Sequence, residues 1–166
     1  MIHIYTGEGK GKTTAALGLA LRAAGAGLRV YIGQFLKRGC FSEIKALKKF
    51  KNITVEQFGS GTFVKGAARK KDRDLSVRGL AKVKEILHED YDVVILDEII
   101  VALNLKLVSW EKTVSLINDL PSKVELVLTG RGCPRELLRL ADLVSEIREI
   151  KHYLRRGIRS RRGFEL

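Results

Sequence analysis

A chain of 166 residues with 45% apolar content is long enough to bury about 70% of its unfolded surface without staples, which argues against disorder and small disulfide scaffolds. Its 31 basic against 19 acidic residues give a net charge of +12, which calls for a nucleic acid, an anionic small molecule or an acidic protein partner. No run reaches the roughly 20 apolar residues of a membrane span, no signal-peptide pattern opens the chain, and Cys40 and Cys133 lack paired spacing, so a cytoplasmic protein with free thiols is expected.

The first predicted element is a short apolar strand, Ile2-His3-Ile4-Tyr5, and Ala15 to Leu21 form an apolar helical run. Between them lies Thr6-Gly7-Glu8-Gly9-Lys10-Gly11-Lys12-Thr13-Thr14. A strand, a glycine-rich turn and a helix in that order gather backbone N–H groups at the positive end of a helix dipole, where a polyphosphate can sit. Lys12 supplies a mobile cation for the outer phosphates, and the Thr13 hydroxyl is placed to ligate magnesium. The usual phosphate loop would have a glycine at Thr6, and Lys10 is an extra cation. Gly-Lys-Thr also opens ordinary helices, so the reading leans on the strand before it and the helix after it.

Further along, residues 30–35 read as a second strand, and Ile44, Leu47 and Phe50 recur at helical spacing before a third strand over 53–58. A glycine-rich segment, 59–66, carries Phe63. A long helix follows with Leu75, Leu80, Val83 and Leu87 on one face. Val93-Val94-Ile95-Leu96 is continuously apolar, as a central strand covered on both sides should be. A helix over 110–120 ending at Pro121, a strand over 124–129, a short helix over 135–141 and a last strand over 143–150 complete the alternation. The expectation is α/β: one domain over 1–166, an open, mostly parallel sheet with helices on both faces.

Chemistry gathers at three strand ends, as the switch-point rule for such sheets anticipates. The first is the glycine-rich loop. The second is Asp97-Glu98 after the central strand, where one carboxylate suits magnesium or its water shell and the other a ligand contact; two acids there also suit a plain helix N-terminus. The third is Thr129-Gly130-Arg131-Gly132, whose arginine suits phosphate charge and whose glycines admit close backbone approach. A surface turn is the competing reading there.

Tyr5-Thr6-Gly7-x-Gly9-Lys10-Gly11-Lys12-Thr13-Thr14-Ala15-Ala16 resembles the opening of the ATP:corrinoid adenosyltransferases of the cobalamin-making type. The absent first glycine and the added Lys10 are features of that family's modified loop. The resemblance continues through Arg22-Ala23-x-Gly25-x-Gly27, Gln34-Phe35-x-Lys37, Leu96-Asp97-Glu98, Thr129-Gly130-Arg131-Gly132 and Ala141-Asp142-Leu143-Val144-Ser145-Glu146. It closes with Ile150-Lys151-His152, Gly157-Ile158 and Gly163-Phe164-Glu165, so it covers nearly the whole chain in order.

This resemblance implies a RecA-like phosphate-loop fold and a transferase in which a cobalt(I) corrinoid attacks the 5′ carbon of ATP and triphosphate leaves. It implies ATP and corrinoid as substrates and magnesium as the ion. Residues 6–14, with Lys10 and Lys12 foremost, would hold the triphosphate together with Gly130 and Arg131. Thr13 would serve magnesium, Asp97 and Glu98 would serve magnesium or the ribose, and Gln34 and Phe63 would line the ligand site. Members often carry an N-terminal extension over the corrinoid and two aromatics at the segment matching Gly61-Thr62-Phe63-Val64, where this chain has Phe63 alone. Without that extension, the pocket would be capped from elsewhere or more loosely. The resemblance further implies a homodimer, and an acidic flavodoxin-like reductant would suit the +12 charge. The alternative is a RecA-like nucleic-acid-dependent ATPase with its arginine-rich tail on phosphates. Against it stands the lack of an aromatic-and-basic stacking stretch.

Overall fold

The computed structural model describes residues 1–61 and 69–164. Its elements run β1 (Ile2–Thr6), α1 (Lys12–Gly25), β2 (Val30–Phe35), α2 (Ser42–Leu47), β3 (Ile53–Phe58), α3 (Lys70–Ile86), β4 (Val93–Asp97), α4 (Ile99–Asn104), α5 (Trp110–Asn118), β5 (Glu125–Thr129), α6 (Arg135–Arg139) and β6 (Leu143–Glu146). A 3₁₀ turn over Tyr153–Arg156 follows.

The six strands form one sheet in the order β3-β2-β4-β5-β1-β6, and every described pairing is parallel. Parallel strands need crossovers over a face, and the alternating side chains of β4 show both faces covered. Val93 and Ile95 pack with Ala16, Ala20, Ile44 and Leu47 from α1 and α2. Val94 and Leu96 pack with Leu80 and Val83 of α3, Ile99 and Ile100 of α4 and Leu116 of α5. Small side chains on α1 bring its backbone close to the sheet, so the loop preceding it is held at the end of β1. Among the described residues, no helix is long and apolar enough to cross a membrane.

Two elements differ from the sequence reading. The last strand stops at Glu146 rather than running to residue 150. Beyond it, Ile147 donates its N–H to the Thr6 carbonyl at 2.8 Å and accepts from the Gly9 N–H at 2.7 Å. The segment thus leaves the sheet to line the glycine-rich loop. The helix α4 carries no periodic signal, because Ile99, Ile100, Ala102 and Leu103 are all buried and Val101 half-buried. A short helix without a polar face reads as a continuation of the preceding strand.

Candidate active site

The C-terminal ends of β1, β2, β4 and β5 lie along one edge of the sheet, and the described candidate residues are at or beside them. Phe63 lies outside the described residues.

Thr6 closes β1 and sits in the ladder opposite Glu146. The tight turn starts one residue later, at Gly7 with φ 98°, so a β-branched residue is acceptable where a glycine is usual. Gly7 and Gly9 are required by close approach. A Cβ on Gly7 would overlap the Ile147 backbone, and one on Gly9 would lie 2.7 Å from the Arg148 carbonyl carbon. Gly11, at φ 122°, precedes the 14-residue α1 and supplies no side-chain cap. The first amides of that helix are therefore open to an anionic ligand.

Lys12 is only 6% exposed. Its ammonium donates to the carbonyls of Gly7 at 2.6 Å and Gly9 at 2.7 Å, folding back onto its own loop. Burial, and secondarily the Arg131 charge, hold its pKa below the usual lysine value. A phosphate entering the loop would favour its charged form.

Asp97 is fully buried and saturated with donors. The Thr13 and Thr129 hydroxyls donate to its Oδ1, each at 2.8 Å. Gln34 Nε2 at 3.1 Å and Lys37 Nζ at 2.7 Å donate to its Oδ2. Gln57 Nε2 donates to Gln34 Oε1 at 2.9 Å, and the Gly39 N–H donates to Gln57 Oε1 at 3.0 Å, extending the network to the loop after β2. A carboxylate with about four acceptor sites is fully used by such a set. Thr129, Lys37 and Gln57 were not among the site residues read from sequence, although Thr129 and Lys37 stand inside the motifs quoted above.

Glu98 has φ 62°, a left-handed backbone, and lines the cleft, while its N–H donates to Thr129 Oγ1 at 2.9 Å. Burial and the neighbouring Asp97 charge raise its pKa, partly offset by Lys37, Lys12 and Arg131. Arg131 is exposed and pairs with Glu8 at 3.4 Å. Its loop is fixed from α4. A Cβ on Gly130 would lie 2.7 Å from Ile100 Cβ, and Asn104 Nδ2 donates to the carbonyls of Arg131 and Gly132, both at 3.0 Å. Nothing in the sequence pattern marks Asn104.

The loop opens into a cleft of about 1120 Å³, roomy enough for a nucleotide with a second ligand beside it. It is lined by polar groups of residues 9–14, Lys37, Glu98, Arg131 and His152 and by the apolar side chains of Leu17, Leu21, Ala46, Leu47 and Phe50. His152 caps the 3₁₀ turn, its Nδ1 accepting from the Leu154 N–H at 3.1 Å. Lys10 also lines the cleft, and its ammonium reaches the tail rather than the loop.

A phosphate-loop edge beside a partly apolar cleft fits several chemistries, and comparison with known proteins decides among them. The whole chain, residues 1–166, matches the family described as ATP:corrinoid adenosyltransferase BtuR/CobO/CobP. The chain belongs to the ATP:corrinoid adenosyltransferase family. Corrinoid adenosyltransferase from Escherichia coli K12 is 32% identical over 166 residues, covering 99% of this chain and 85% of the relative. Corrinoid adenosyltransferase CobA from Salmonella typhimurium LT2 is also 32% identical, with the same coverage. Among solved structures, the KaiC-like protein PH0186 from Pyrococcus horikoshii OT3 superposes with a TM-score of 0.56 over 90% of this chain and 74% of that one. At 18% identity that likeness speaks for the RecA-like fold alone.

Proposed function

We propose that the protein transfers the 5′-deoxyadenosyl group of ATP to the cobalt(I) of a corrinoid, with triphosphate as the leaving group. The observation that carries this reading is the full-length family match, together with a cleft lined by both the phosphate loop and apolar side chains. The substrate's own cobalt is the nucleophile, so the protein needs no general base. Its work is positioning and charge stabilisation.

The open amides of α1 and Lys12 would bind the triphosphate. Arg131 and Lys10 would approach it from the rim. Each charge-assisted contact is worth about 1.5–3 kcal/mol. Glu98 would meet the ribose from the opposite side of the loop. The nucleotide's 5′ carbon would then face the apolar side chains of Leu17, Leu21 and Phe50, where a corrinoid would find apolar contact.

Among the described residues, no group of three or more His, Cys, Asp or Glu is arranged to hold a metal. Magnesium does not need such a group, because it keeps waters and takes a few protein oxygens plus substrate phosphates. Thr13 and Asp97, hydrogen-bonded at 2.8 Å, are the hard oxygen donors that would hold it. Bound there, magnesium would neutralise phosphate charge. In this reading the protein acts in the cytoplasm as a homodimer, does not bind nucleic acid, and receives electrons from an acidic flavodoxin-like reductant drawn by its positive charge.

The test mixes the protein with ATP, magnesium and chemically reduced cobalamin. The expected result is the spectrum of a cobalt–carbon product with one triphosphate released per turnover. Absence of that product, with phosphate release stimulated by single-stranded DNA, would establish the ATPase alternative instead.

A further inference from the structure

Lys37 reaches the two groups assigned above to magnesium. Its ammonium lies 2.7 Å from Asp97 Oδ2 and 3.0 Å from Thr13 Oγ1, and Asp97 is wholly buried. This position is built into the backbone. Leu36 adopts φ 61°, unusual for a leucine, and turns the chain at the end of β2. The Leu36 N–H donates to the Phe58 carbonyl at 3.2 Å. Gly59 packs so closely on the backbone of Leu36 and Lys37 that any side chain there would overlap it.

A buried carboxylate must be paired, and among the described residues the ammonium of Lys37 is the cation on Asp97. A divalent ion bound by Thr13 and Asp97 would stand at contact distance from that ammonium, and like charges at such range in a half-buried site repel strongly. The Lys37 side chain is 25% exposed and lines the same cleft as the phosphate loop, so an alternative anion lies within its reach once a polyphosphate is bound.

We infer that Lys37 is a resident counter-ion that holds the magnesium position while nucleotide is absent and passes to the polyphosphate when the metal enters. Metal and nucleotide therefore load together, and free divalent ions are excluded. The inference rests on the assignment of Thr13 and Asp97 to the metal.

Manganese is the probe, its free concentration read by electron paramagnetic resonance with and without ATP. Without ATP, Lys37→Met binds manganese about tenfold or more tightly than the wild type, the scale on which a removed like charge acts. Lys37→Arg, which keeps the charge, stays at the wild-type value. With ATP present, Lys37→Met binds the manganese–nucleotide complex more weakly, because the polyphosphate has lost a cation. Lys37→Gln is measured in parallel, and cooperative urea unfolding of each variant shows that it is folded. Equal manganese affinity of wild type, K37M and K37Q without ATP overturns the role of Lys37, provided Asp97→Asn still weakens nucleotide-dependent manganese binding. If Asp97→Asn leaves that binding intact as well, the metal assignment itself falls.

Discussion

The ammonium of Lys10 donates to the Tyr153 hydroxyl at 2.8 Å, joining the phosphate loop to a residue 143 positions away. The same ammonium donates to the Phe164 carbonyl at 2.9 Å. The Arg161 guanidinium stacks over the rings of Tyr153 and Phe164, its carbon 4.7 and 4.6 Å from their centroids. The tail thus closes over the loop through Lys10.

If Lys10 takes the triphosphate as proposed, it must exchange the tail for it when ATP binds. Amide hydrogen exchange over 153–164 is expected to quicken on ATP addition in the wild type. In Lys10→Ala it should already be fast without nucleotide. Unchanged exchange in both would leave the triphosphate to Lys12 and the loop amides, with Lys10 serving the tail alone.

Lys12 separates stability from function. Its charge is penalised by burial, so Lys12→Met removes a costly charge along with two hydrogen bonds to loop carbonyls. The unfolding midpoint should move little. Turnover should fall by roughly 10²–10³-fold or more, the loss that follows removal of a group aimed at developing negative charge. A variant with near wild-type turnover would mean the loop is misassigned.

Much of this site is legible in the sequence because strand, loop and helix follow one another within residues 2–25, and local spacing is what periodicity reports. Asp97 and Glu98 are legible for the same reason, at the end of an unbroken apolar strand. What escapes is set by tertiary contact. Lys37 meets Asp97 because Leu36 takes a left-handed backbone with no glycine to announce it. Asn104 acts across 27 positions on the Arg131 carbonyl. The Gly9–Ile147 hydrogen bond ends the last strand early, and no run of residues encodes a partner that distant.

Asp97 is the keystone of the site. In Asp97→Asn the Lys37 ammonium faces a neutral amide and two threonine hydroxyls lose a charged acceptor. Breaking a buried pair costs about 3–5 kcal/mol, and the partial exposure of Lys37 brings the expectation to about 2–3 kcal/mol. Urea unfolding measures it. A loss under about 0.5 kcal/mol, the range of ordinary surface substitutions, would mean that the network carries no stability.

The glycines of the first thirty residues do different work. Gly9→Ala places a methyl 2.7 Å from the Arg148 carbonyl carbon and should separate the loop from the segment after β6, with loss of ATP binding. Gly18 lies inside α1, and a Cβ there meets nothing within 4 Å. Gly18→Ala should therefore stabilise the protein by about 0.5–1 kcal/mol. Calorimetry of the two variants, with ATP titration of the first, tests both. A destabilised Gly18→Ala would show that the wall of the cleft is tighter than these contacts imply.

The Arg131 loop can be followed through a thiol. Cys133 is half-buried two residues beyond Arg131, and burial pushes its pKa up to about 11. The thiolate is the reactive species, so the sign is fixed: reactivity is low at neutral pH and grows as pH rises. Iodoacetamide labelling of Cys133, followed by mass spectrometry, should accelerate about tenfold per pH unit up to about pH 11, because thiolate supply limits the rate. The exposed Cys40 should be modified first at pH 7.5. Asn104→Ala removes both hydrogen bonds from its side chain to the loop carbonyls and should speed Cys133 labelling at that pH. If Cys133 in the wild type reacts as fast as Cys40, the loop opens without help, and Asn104 does not hold Arg131 in place.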